Sequence, residues 1–117
     1  MGHISFIYFR YNTHPDECVC VGMILIDPAG NCKAKLSDSK MKLARKILPN
    51  KNIFKMFKMS VTQLVDYDKL TVEYVDRLHR YQNGLIKIDK PSAIAITSLD
   101  DFDILFEKSI EECIKIK

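Results

Sequence analysis

Between residues 4 and 36 the apolar positions fall in three short runs, 4–11, 18–26 and 32–36. Asn12-Thr13-His14-Pro15-Asp16 and Asp27-Pro28-Ala29-Gly30-Asn31 separate them. Both separators consist of residues that supply or tolerate turn dihedrals, so the pattern predicts an antiparallel meander. In the first run apolar side chains occupy both parities, Phe6 and Tyr8 against Ile7 and Phe9, so neither face is written for water. Pairing the first two runs places Phe6 near Met23, Ile7 near Gly22 and Tyr8 near Val21. One predicted face, the core face, then carries Ile4, Phe6, Tyr8, Val19, Val21, Met23 and Leu25, joined by Ala34 and Leu36. The other carries Ile7, Phe9, Tyr11, Cys18, Cys20, Gly22, Ile24 and Ile26, rimmed by Lys33 and Lys35. Gly22 removes a side chain at the centre of that second face, which weakens a strand unless something approaches its backbone. A helix of the same chain would use the space, and so would a partner.

From Ser37 onward the apolar period lengthens from two to nearly four. Ser37 or Asp38 is placed to cap a helix with Met41, Ala44 and Leu48 inward and Lys42, Arg45 and Lys46 outward, ended by Pro49. A second helix follows Asn50 or Asn52. Its inward set is Ile53, Phe57, Val61, Leu64 and Val65, its outward set Lys51, Lys55 and Lys58, and Phe54, Met56 and Met59 widen the apolar stripe. Thr71 caps a third, with Val72, Val75 and Leu78 inward and Tyr74 and Tyr81 beside them, and Asn83-Gly84 stops it. Residues 85–88 and 93–97 read as short extended segments, one of which adds a fourth strand. Ser98, with Asp101 three residues on, has the spacing of a capping box for a last helix. That helix carries Leu99, Phe102, Leu105, Phe106, Ile110, Cys113 and Ile114 along one stripe, with Lys115 and Lys117 at its carboxyl end. The expected fold class is α+β: an antiparallel sheet of three to four strands, led by the N-terminal meander, packed by three consecutive helices and a C-terminal helix.

At 117 residues the chain has the size of one domain, 1–117, able to bury a core without metal or disulfide support. It shows no apolar run of the roughly 18 residues that a membrane span needs, and no basic-then-apolar leader, so the expected compartment is the cytoplasm. The cysteines are expected to be reduced and structural. Cys18 and Cys20 are two apart on a strand, poor geometry for a disulfide, and Cys32 is expected roughly 20 Å from Cys20 along the strands. Charge changes the picture more. From residue 33 to 58 the chain carries Lys33, Lys35, Lys40, Lys42, Arg45, Lys46, Lys51, Lys55 and Lys58 against Asp38 alone, although its net charge is only +3. Such segregation attracts phosphate backbones or an acidic protein surface, while exposed lysines on amphipathic helices also serve solubility.

No phosphate-binding glycine loop, His-Glu-x-x-His or Gly-x-Ser-x-Gly is present, so no enzyme class, catalytic set, cofactor or metal is indicated. His14, Asp16 and Glu17, with Arg10 across the hairpin, offer mixed donors in one turn that could hold a metal or shuttle a proton. They are equally ordinary turn and pairing residues.

Phe9-Arg10-Tyr11, Pro15 and the run Glu17-Cys18-Val19-Cys20-Val21-Gly22-Met23-Ile24-Leu25 resemble the opening signature of a bacterial family of uncharacterised proteins, the domain of unknown function numbered 3037. That signature is an Arg-Tyr pair, a Pro, and a Glu followed by an Asn-Val-Gly-Val strand; Cys20 here replaces the asparagine. Leu48-Pro49, Lys90-Pro91 and the terminal Leu-Phe helix extend the resemblance over almost the whole chain. It implies a protein of about this length with no established activity. It also implies a partner in a kinase or toxin–antitoxin or defence module, such as a HipA-like kinase. The leading expectation is a non-enzymatic interaction or regulatory module whose partner-binding residues are Arg10, Tyr11, Glu17, Cys20, Gly22, Lys33 and Lys35. The basic patch of Lys42, Arg45, Lys46, Lys51, Lys55 and Lys58 is a second surface. The alternative is nucleic-acid binding, or metal-dependent nucleic-acid processing, through that patch.

Overall fold

In the computed structural model, described over residues 1–10, 18–48, 50–81 and 85–111, the meander is present. Strand β1 (Gly2–Arg10) pairs antiparallel with β2 (Cys18–Ile26), and β2 with β3 (Cys32–Leu36). Both later extended segments join the sheet. β4 (Ile86–Ile88) and β5 (Ser92–Ile94) lie end to end along the free side of β1, opposite residues 7–9 and 2–4. Helices α1 (Asp38–Ile47), α2 (Lys51–Asp66) and α3 (Val72–Tyr81) pack on one face, and α4 (Phe102–Phe106), which continues as a π-helix over Glu107–Glu111, packs on the other. The class is α+β, with the sheet covered on both sides. The expected turn bearing Tyr11, His14, Asp16 and Glu17, together with Pro49, the Asn83-Gly84 stop and Cys113, lies outside the described residues.

Two local irregularities redistribute the faces. Phe6 does face Met23 and Ile7 does face Gly22, but Tyr8 faces Cys20, because Val21 is an extra residue bulged out of the β1–β2 ladder. The bulge turns Val19 and Val21 toward Ile7 and Phe9. The second hairpin contributes the other shift. Its loop is Pro28-Ala29-Gly30, with Gly30 N–H donating to Asp27 O at 3.0 Å and Gly30 at φ 91°, the left-handed position of a three-residue hairpin. Cys32 therefore faces Ile26, one residue away from the pairing of a two-residue turn at Ala29-Gly30, and this one-residue slip exchanges the two sides of β3. Cys32, Ala34 and Leu36 join the helix-covered face, whereas Lys33 and Lys35 flank Met23 and Leu25 beside α4.

The Asp27 carboxylate holds that hairpin, accepting from Asn31 N–H at 2.8 Å and from Asn31 Nδ2 at 3.1 Å. Desolvation opposes its ionisation, but hydrogen bonds from Asn31, Ala29 and Gly30 outweigh it and hold the carboxyl below its usual 3.8. A carboxyl depressed on folding stabilises the native state above its unfolded pKa, and that contribution disappears as pH falls through the folded value. Asp27→Asn is accordingly expected to lower stability in denaturant melts at neutral pH, with the gap to wild type closing below about pH 4. Equal stability at pH 7 would contradict this assignment.

Capping follows the predicted residues for the first three helices. Ser37 Oγ accepts from Lys40 N–H, Asn50 Oδ1 from Asn52 and Ile53 N–H, and Thr71 Oγ1 from Tyr74 N–H. The last helix departs from its expected start. Ser98 Oγ accepts from Asp100 N–H, two residues on, which closes a turn, and the helix begins only at Phe102. On α2 the core contact is made by Phe54, Phe57, Val61, Leu64 and Val65. Ile53, expected inward, is 40% exposed, and Met56 and Met59 also face outward.

Candidate functional site

The described residues of the predicted partner surface, Arg10, Cys20, Gly22, Lys33 and Lys35, are divided between the two sides of the sheet and the end of β1. Gly22 is buried on the helix-covered face, where a Cβ would lie 2.8 Å from Lys35 O and 2.9 Å from Leu36 Cδ2. Its lack of a side chain admits the chain's own β3 and offers nothing to a partner. Cys20, Lys33 and Lys35 belong to the opposite side. There Lys33 Nζ sits 4.9 Å from the centre of the Phe102 ring and Lys35 Nζ 5.0 Å from that of Phe106, so both lysines lie along α4. Arg10 ends β1, half-buried, with its N–H donating to Leu85 O. Tyr11 and Glu17 lie outside the described residues.

The basic patch fares differently. Lys42, Arg45 and Lys46 on α1, and Lys51, Lys55 and Lys58 on α2, are all exposed. A cleft of about 380 Å³ opens between the two helices, lined by Leu36, Asp38, Met41, Lys42, Arg45, Phe54, Lys58 and Thr62. Helical spacing explains its composition. At about 100° per residue, Asp38, Lys42 and Arg45 fall on one side of α1 and Phe54, Lys58 and Thr62 on one side of α2, next to the arcs that carry Met41 and Val61 into the core. Lys51 and Lys55 share that side of α2. Cations from two helices thus converge over an apolar floor of Leu36, Met41 and Phe54, with Asp38 the one acid of the lining. Such a site can hold an anionic group while taking an apolar one. The cations were legible in the sequence and the floor was not; the recurrence of Phe54, Lys58 and Thr62 every four residues was the available signal.

A second polar group binds strands to one another. Tyr8 OH donates to Asp89 Oδ2 at 3.2 Å, Ser5 Oγ donates to Asp89 O, and Asp89 N–H donates to Phe6 O. Burial, then the negative charge of Asp89, raises the Tyr8 pKa, so the phenol stays protonated. His79 Nδ1 lies 2.7 Å from Ile88 O and ties α3 to β4 as a donor. These contacts hold β4 and its exit against β1 and α3. Among the described residues no three His, Cys, Asp or Glu side chains gather as a metal would need, and no helix is long and apolar enough to cross a membrane. Cys18 is buried, and Cys20 and Cys32 are half-buried. No family model matches the chain, and no curated protein or solved structure matches it.

Proposed function

We propose that the chain is a non-enzymatic interaction module that docks an acidic surface of a protein partner in the cleft between α1 and α2. The observation that carries this reading is the placement of Lys42, Arg45 and Lys58 around the apolar floor of Leu36, Met41 and Phe54. Charge alone would serve any polyanion; an apolar floor between the cations favours a protein surface, which offers carboxylates and apolar side chains together. The family resemblance adds a candidate for that partner, a HipA-like kinase or another component of a toxin–antitoxin or defence module. Nucleic acid is the second reading, supported by the exposed lysines of both helices.

Fluorescence anisotropy separates the two. A labelled Glu-Glu-Leu-Phe-Glu-Glu peptide is expected to bind saturably, and Arg45→Glu with Lys58→Glu to weaken it at least about tenfold. Replacing its Leu-Phe by Ser-Ser should also weaken it. A single-stranded oligonucleotide that binds where the peptide does not, with affinity falling steeply in salt, would replace the protein reading with the nucleic-acid one.

A further inference from the structure

A surface of opposite charge to the cleft, with an apolar centre, lies on the same chain. Ile104 on α4 is 58% exposed, the only large apolar side chain of that helix turned outward. Acids predominate around it: Asp100, Asp101, Asp103 and Glu107 are all exposed, with Lys108 the one exposed cation of that stretch. At about 100° per residue, Asp103, Ile104 and Glu107 share the side of the helix facing away from buried Phe102 and Phe106. One apolar residue flanked mainly by carboxylates is the counterpart of an apolar floor flanked mainly by the cations Lys42, Arg45 and Lys58. The Asp103 contact with Lys33 does not remove that acid from the surface, since it spans 3.9 Å and leaves the aspartate side chain 80% exposed.

We propose that α4 of one copy seats Ile104 and its flanking carboxylates in the α1/α2 cleft of a second copy. The inference rests on the reading of the cleft as a docking site for acidic protein surface, and names one such surface. The donor patch on α4 and the acceptor cleft are different surfaces of each chain, although the π-helical continuation of α4 approaches α1. A single such contact leaves the cleft of one copy and the α4 of the other unfilled. The exposed apolar residues of α2, Ile53, Met56 and Met59, have no such acidic neighbours.

Sedimentation of the full chain from about 10 µM to about 1 mM at low salt tests this, a range that brackets weak association. Wild type is expected to gain mass with concentration and lose it with added salt. Arg45→Glu with Lys58→Glu (cleft variant) and Asp103→Lys with Ile104→Lys (α4 variant) change only exposed or cleft-lining side chains. Each alone should sediment as a monomer with an unchanged circular-dichroism spectrum. Mixed, they should form a one-to-one pair and nothing larger, because the intact α4 of the first fits the intact cleft of the second. Wild type that stays monomeric throughout, or a mixture that stays monomeric while wild type associates, overturns the inference. If monomeric wild type still binds the acidic peptide through Arg45 and Lys58, self-docking falls and the cleft reading stands. If the peptide is also ignored, both fall.

Discussion

Phe102→Ala is expected to lower the unfolding free energy by about 3–5 kcal/mol in denaturant melts, the range for truncating a fully buried aromatic. Phe102 is completely buried against Met23 and Leu25, its ring centre stands 5.9 Å from that of Phe106, and Lys33 lies over its face. It is also the first residue of α4, which has no side-chain cap bond at its N-terminus. The short helix is therefore held by what it buries, not by its own termini, and losing the ring removes much of the cover on that side of the sheet. Phe102→Leu, which keeps most of the apolar volume, should cost less than about 1.5 kcal/mol. A loss below about 1 kcal/mol for the alanine variant would mean that α4 is not seated on Met23 and Leu25.

Gly22→Val is expected to destabilise by about 2–3 kcal/mol, against the direction that strand propensity predicts. Glycine in a strand interior costs roughly 0.5–1 kcal/mol relative to alanine, so a β-branched residue there would normally help. Here the added Cβ meets a backbone oxygen, Lys35 O, at 2.8 Å, which cannot turn aside as a flexible side chain would, and Leu36 Cδ2 at 2.9 Å. Overpacking is the larger effect, since β3 must move away from β2 or Leu36 must leave the core. A neutral or stabilised Gly22→Val would show that β3 does not approach β2 this closely.

The sheet and the first three helices were legible because their signals are local and repeated. Turn residues bracket each strand, and Ser37, Asn50 and Thr71 stand immediately before helical periodicity begins. The division of residues between the two sheet faces was not legible, because it depends on parity. One bulged residue, Val21, and one extra loop residue before β3 were enough to exchange Val19, Val21, Ala34, Leu36, Lys33 and Lys35 between sides. A strand pattern apolar at both parities carries no penalty for either register, so nothing in the composition of residues 18–26 marks the bulge. The residues expected around Gly22 are divided between the two sides for that reason, and Gly22 is closely approached by β3, where a helix or a partner was expected. The cleft was half legible. Exposed cations can be read from helical periodicity, but the gap between α1 and α2 depends on how two helices settle on β3, which no single-helix pattern encodes.

The proposed function requires the cleft between α1 and α2 to be a binding site and not a solvated lysine surface. Two-dimensional amide NMR of the labelled chain, titrated with the Glu-Glu-Leu-Phe-Glu-Glu peptide, tests this most directly. Saturable shifts are expected, confined to Leu36, Met41, Lys42, Arg45, Phe54, Lys58 and Thr62 and their neighbours and abolished by Arg45→Glu with Lys58→Glu. Small unsaturable shifts spread over lysines remote from the cleft, such as Lys69 and Lys90, would contradict it.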